Sequence, residues 1–187
     1  MQAEQTTQPA IELTGLEKTF GRQKVLRQVN LNIAAGKTTV IVGGSGQGKS
    51  VILKHMLGLV RPDCGSVKVF GQELLKISKK ELNHIRMEFG VLFQNSALFD
   101  SMTVFDNVAL PLRERTKMPE AQIRAKVREK LDMMDLKDSD HKYPAQLSGG
   151  MKKRVGLARA LVLNPKVVFF DEPTTGLEPR NSSITRR

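Results

Sequence analysis

Hydrophobic positions come first in short alternating or compact runs and later in stripes spaced by three and four, so the chain passes from β-rich to helical. Residues 11–13 and 25–33, the latter with polar residues interleaved, predict strands, and Thr38-Thr39-Val40-Ile41-Val42 predicts a buried strand ahead of glycines. Ile52, Leu53, Met56, Leu57 and Leu59 then form a helix-compatible stripe ending near Gly58 and Pro62. Ser78-Lys79-Lys80-Glu81 is a capping-box pattern and predicts a helix through about Met87. Pro119 opens a clearer helix, with Ile123, Val127, Leu131 and Met134 on one face and Arg124, Lys126, Arg128, Glu129 and Lys130 largely off it. Met151 to Leu163 reads as helix, Asn164-Pro165 breaks it, and Val167-Val168-Phe169-Phe170 predicts a second buried strand. The order predicts an α/β domain with a helical insertion.

At 187 residues the chain has room for one domain with its own core, and 40% hydrophobic with 26% charged residues fits a soluble globular protein. The single cysteine, Cys64, cannot form an internal disulfide, and His55, His84 and His141 show no metal-ligand spacing. The first ten residues carry neither a basic nor an apolar targeting segment, and no apolar run approaches membrane-spanning length, which predicts a cytosolic protein. The formal net charge of +11 favours anionic partners, but the basic residues are dispersed and select none of them.

Between Val42 and Ile52 stands Gly43-Gly44-Ser45-Gly46-Gln47-Gly48-Lys49-Ser50, which satisfies G-x-x-x-x-G-K-S in the strand-loop-helix setting its mechanism needs. Glycines let the backbone curl until successive N–H groups face one concavity, and the helix adds its positive end, so a polyphosphate is cradled. Lys49 supplies a charge for the β- and γ-phosphates, and the Ser50 hydroxyl can ligate Mg²⁺, which together point to a nucleoside triphosphate. The second predicted strand ends in Asp171-Glu172: Asp171 at a strand tip parallel to the first would hold Mg²⁺, and Glu172 would accept a proton from attacking water. Ser148-Gly149-Gly150, ahead of a helix, makes a second anion loop without a lysine. Two phosphate loops in one chain are reconciled by a head-to-tail homodimer in which each nucleotide is gripped by one loop from each subunit.

The string GGSGQGKS, the stretch LFQNSALFDSMTVFDNVALPL and the stretch YPAQLSGGMKKRVGLARALVLNPKVVFFDEPTTGLEP, in that order, resemble the ATP-binding subunit of ABC transporters over residues 10–179. The resemblance implies a P-loop NTPase fold with an N-terminal β-rich subdomain and a helical insertion: a tail over 1–10, an ATPase domain over 11–179 and a helical subdomain over about 95–150. It implies that Gln94 senses metal and γ-phosphate, and that Phe20 stacks on adenine, with ATP and Mg²⁺ as the bound groups. Met151 after Gly150 and the ALFDSMTVFDNVALPLRE stretch look like the ATPases of bacterial lipid transporters built with MCE proteins. Such a subunit would sit peripherally on the cytoplasmic side of the inner membrane against a permease, with no specific nucleic acid partner. Phe99, Met102 and Val104 would then either face the permease or pack the helical subdomain from within.

Two departures stand beside the resemblance. Glu178 lies where the family typically has Asp, and after Pro179 come eight residues unlike the family, an atypical tail over 180–187, with no histidine beyond Asp171 for the γ-phosphate switch. The resemblance thus implies a fold lacking the C-terminal part of its core. Loss of one transition-state donor costs about 3–4 kcal/mol, and loss of four or five buried aliphatics at about 2 kcal/mol each matches a typical total stability of about 5–15 kcal/mol. The expectation is a chain that is poorly stable and hydrolyses ATP weakly or not at all. Two other readings stay open: a soluble ABC ATPase of DNA repair or translation, and a truncated inactive gene product.

Overall fold

A computed structural model describes residues 8–94 and 96–171, which divide into two compact units: residues 8–90 with Leu163–Phe169, and residues 91–162 with 170–171. The first unit opens with β1 (Ile11–Phe20) and β2 (Gln23–Ile33), antiparallel from Ile11↔Ile33 to Phe20↔Gln23. Then come α1 (Lys49–Met56), β3 (Cys64–Val69), the two-residue β4 (Gln72–Glu73) and α2 (Lys79–Met87). The sheet order is β2-β1-β3-β4. Alternation decides its inner face: Ile11, Leu13, Val67 and Val69 are buried while Glu12 and Lys68 between them pair on the other side. Ile52, Leu53 and Met56 of α1 complete this core.

The capping box at Ser78 is present as the sequence predicts, with Glu81 N–H donating to Ser78 Oγ at 3.2 Å and Ser78 N–H to Glu81 Oε2 at 2.7 Å. The helix it starts ends at Met87. Next, β5 (Phe89–Leu92) pairs with the last strand, β6 (Val167–Phe170). Lys166 N–H donates to Glu88 O and Asp171 N–H to Leu92 O, so the two strands run in the same direction. Phe89 and Phe169 meet edge to face with centroids 5.2 Å apart.

The second unit holds α3 (Val104–Arg115), α4 (Glu120–Met133) and α5 (Gly149–Leu161), packed pairwise, with a 3₁₀ turn at Pro144–Gln146. Their apolar stripes meet through Val108, Leu112, Ile123, Val127, Leu131 and Val155, all buried. Lys130, placed off the apolar face by its position in the sequence, is nonetheless buried: its stem covers apolar surface while its ammonium pairs with Glu129 at 3.0 Å.

The strand predicted over 38–42 is not formed. Among the described residues no segment pairs with it, and Val40 and Val42 are 75% and 88% exposed. An extended run becomes a strand only when a neighbour takes up its backbone N–H and C=O groups, and a compact apolar run cannot supply that neighbour. The strand parallel to Asp171's own is therefore β5, in place of the expected run before the glycines. Burial of the last strand is also partial: Phe169 is inside, whereas Phe170 is exposed.

Candidate functional site

In the first unit, the glycine loop leads directly into α1. Gly43, Gly44, Ser45, Gly46 and Gln47 are exposed, Gly48 is the helix N-cap, and Lys49 and Ser50 are its first two residues. Lys49 Nζ folds back and donates to Gly43 O and Gly44 O, both at 2.9 Å. This places the ammonium inside the curl of the loop. The first turn of α1 contains no acidic residue, and no side chain caps it, so the positive end of the helix is presented to an incoming anion. These features fit a polyphosphate.

Gly48 is required twice over. Its φ of 87° is left-handed, and a Cβ there would stand 3.0 Å from Leu26 Cδ2 and 3.2 Å from Val25 Cγ1. The loop is thus seated on β2. Leu26 pairs across with Lys18, and two residues on, at the tip of the same hairpin, is Phe20, 47% exposed with the Lys18 ammonium 5.5 Å from its ring centroid.

In the second unit, Gln94 follows β5 in an exposed turn and Asp171 follows β6. The bond from Asp171 N–H to Leu92 O (3.0 Å) puts both residues at the carboxyl ends of paired parallel strands, where ligands of open α/β sheets are met. Among the described residues no three His, Cys, Asp or Glu gather. Glu172, Glu178 and the tail 180–187 lie outside the described residues.

Ser148 is the N-cap of α5, its Oγ accepting from Met151 N–H at 3.2 Å, and Gly149 and Gly150 form the exposed first turn, again without an acid. The same helix grips the backbone after Gln94. Ser96 and Ala97 have φ of 58° and 44°, and Arg159 donates to both their carbonyls. Gly156, one turn earlier, admits this contact, since a Cβ there would lie 2.9 Å from Leu92 Cδ1 and 3.0 Å from Ser96 Cβ. Burial of the Arg159 guanidinium pushes its pKa below the usual value.

Of the three apolar residues considered for a permease contact, Phe99 is half exposed, Met102 intermediate and Val104 fully buried as the first residue of α3. Val104 therefore packs within its unit. The backbone around Phe99 is held by buried Asn107, which accepts from Phe99 N–H at 2.8 Å and donates to the carbonyls of Phe99, Met102 and Thr103. Asn107 and Arg159 escape a reading of the sequence, although each is a polar residue set in an apolar helical stripe, the pattern that marks a buried polar anchor.

The model of the ABC transporter family matches residues 26–175. The probable ribonucleotide transport ATP-binding protein mkl of Mycobacterium leprae is 51% identical over 170 residues, 91% of this chain and 49% of the relative. The intermembrane phospholipid transport system ATP-binding protein MlaF of Haemophilus influenzae is 41% identical over 95% of this chain and 67% of its own length. Among solved structures, the dimeric post-hydrolysis state of the ATP-binding cassette MJ0796 bound to ADP and Pi superimposes with a TM-score of 0.80 at 35% identity, covering 90% of this chain and 76% of that one. The chain spans about half the length of the mkl relative that it matches.

Proposed function

This chain belongs to the ABC transporter family, and on that premise we propose that it is the ATP-binding subunit of a bacterial ABC transporter, binding and hydrolysing ATP as a head-to-tail homodimer to drive phospholipid transport. The observation that carries the nucleotide reading is Lys49, its ammonium held within the curl of Gly43 and Gly44 at an acid-free helix start. Residues 43–48 offer backbone N–H groups to the phosphates, Lys49 adds charge to the β- and γ-phosphoryl oxygens, and Phe20 supports the base. Ser50, Gln94 and Asp171 are the metal ligands, and Glu172 receives the proton of the attacking water. Bound Mg²⁺ supplies neutralisation of charge on the transferring phosphoryl group. Ser148, Gly149 and Gly150 close on the nucleotide of the second subunit.

The phospholipid assignment draws support from the similarity to MlaF and from the ALFDSMTVFDNVALPLRE stretch. On this reading the subunit is peripheral, on the cytoplasmic side of the inner membrane, with a permease as partner and an MCE-type protein in the same system. No described helix is long and apolar enough to cross a membrane. Phe99, half exposed on a backbone held by Asn107, is the residue offered to the permease. The test is reconstitution in lipid vesicles with an ABC permease that co-purifies with it. Phosphate release that rises with added phospholipid and not with ribonucleotide supports the assignment, and the reverse preference overturns it.

A further inference from the structure

We propose that Asp63 is a positioning residue for nucleotide binding, clipping the end of β1 so that the ring of Phe20 is presented to the base. The proposal rests on the reading of Phe20 as the base platform.

β1 has β3 as a neighbour only from Ile11↔Val69 to Glu17↔Cys64. Beyond Glu17, its last three residues keep β2 on one side and lose the ladder on the other. Asp63, the residue before β3, takes over that side. Its N–H donates to Glu17 O at 2.9 Å, its Oδ1 accepts from Lys18 Nζ at 2.7 Å, and its Oδ2 accepts from Thr19 N–H at 2.7 Å. Three consecutive residues ahead of Phe20 are held by one side chain and its backbone. The ladder with β2 is irregular between Lys18 and Thr19, and across that irregularity the Lys18 ammonium comes within 5.5 Å of the Phe20 ring centroid. Held by Asp63, the Lys18 ammonium stands over the Phe20 ring and backs it with a cation.

The opposite strand ties this assembly to the phosphate loop, because Val25 and Leu26 pack against Gly48. A half-exposed aromatic ring therefore stands at the tip of the hairpin that seats the phosphate loop, its orientation set from behind by a carboxylate and a cation. Stacking is tolerant of which base is bound but demands a ring fixed in place. Asp63 supplies the fixing.

The test compares binding of ATP with that of inorganic tripolyphosphate, which has the phosphates and no base, by calorimetry on the full 187-residue chain. Phe20→Ala weakens ATP about tenfold and leaves tripolyphosphate within about twofold. Asp63→Asn weakens ATP about three- to tenfold with tripolyphosphate likewise unchanged, and in the Phe20→Ala background it has no further effect. Lys18→Met reproduces the Asp63→Asn pattern and serves if that variant does not fold. Equal weakening of both ligands by Asp63→Asn, or an additive loss in the double variant, overturns the proposal. If Phe20→Ala itself fails to distinguish the two ligands, the base-platform reading falls and the role of Asp63 with it. A normal Phe20→Ala effect beside a silent Asp63→Asn rejects the clip alone.

Discussion

Arg159 donates through one guanidinium nitrogen to the backbone carbonyl of Ser96 at 2.6 Å, and through another to that of Ala97 at 2.9 Å. Both acceptors sit in left-handed backbone immediately after the turn that carries Gln94, a conformation that costs a non-glycine residue about 1–2 kcal/mol. The helix that bears Arg159 is capped by Ser148 and begins at Gly149, so one rigid element connects the second anion loop to the segment following Gln94. The forked guanidinium matters because it satisfies two carbonyls at once.

Arg159→Lys keeps the charge and loses the fork. Hydrogen bonds to charged groups contribute about 1.5–3 kcal/mol, so the variant is expected to lose about that much stability, read as a lower urea midpoint at unchanged slope. An unaltered midpoint would show that the two carbonyls are satisfied without the fork.

Gly48→Ala places a methyl group against Leu26 and Val25 in a left-handed residue. The expected outcome is about 1–3 kcal/mol of destabilisation together with loss of tripolyphosphate binding, because the residue caps the helix that the phosphates approach. Wild-type affinity in calorimetry of this variant would show that the loop tolerates another geometry.

Acid should loosen the second unit through Asp106. Hydrogen bonds from Thr103 and Arg113 hold its pKa below the usual carboxylate value. A carboxylate with a depressed folded pKa contributes stability that is complete above its unfolded pKa, near about 4, and is lost as the pH falls through the folded value. Asp106→Asn is therefore expected to lower the urea midpoint at pH 7 and to converge with the wild type as the pH falls below the ordinary carboxylate range. Parallel pH profiles for the two proteins would remove Asp106 from the account.

What the sequence makes legible is what acts locally. The Ser78–Glu81 box and the glycine loop each fix their own backbone within a few residues, and each stands in the structure where the pattern puts it. The run 38–42 misleads because a strand is made by its neighbour, which no local pattern contains. The contacts of Asp63 with Lys18 and Thr19 and of Arg159 with Ser96 span 44 to 63 residues of sequence, so neither side chain announces its partner. Asn107 is a nearer miss: its partners lie within eight residues, but only burial shows that its amide must find them.

The central claim is that residues 43–50 form a nucleotide site, and the direct measurement is the affinity of the chain for ATP with Mg²⁺ by calorimetry. The wild type is expected to bind ATP with Mg²⁺ in a saturable isotherm. Lys49→Ala, by removing a charge-assisted contact of about 1.5–3 kcal/mol, is expected to bind at least about tenfold more weakly. ATP affinity unchanged by loss of Lys49, or no binding by the wild type, would contradict it.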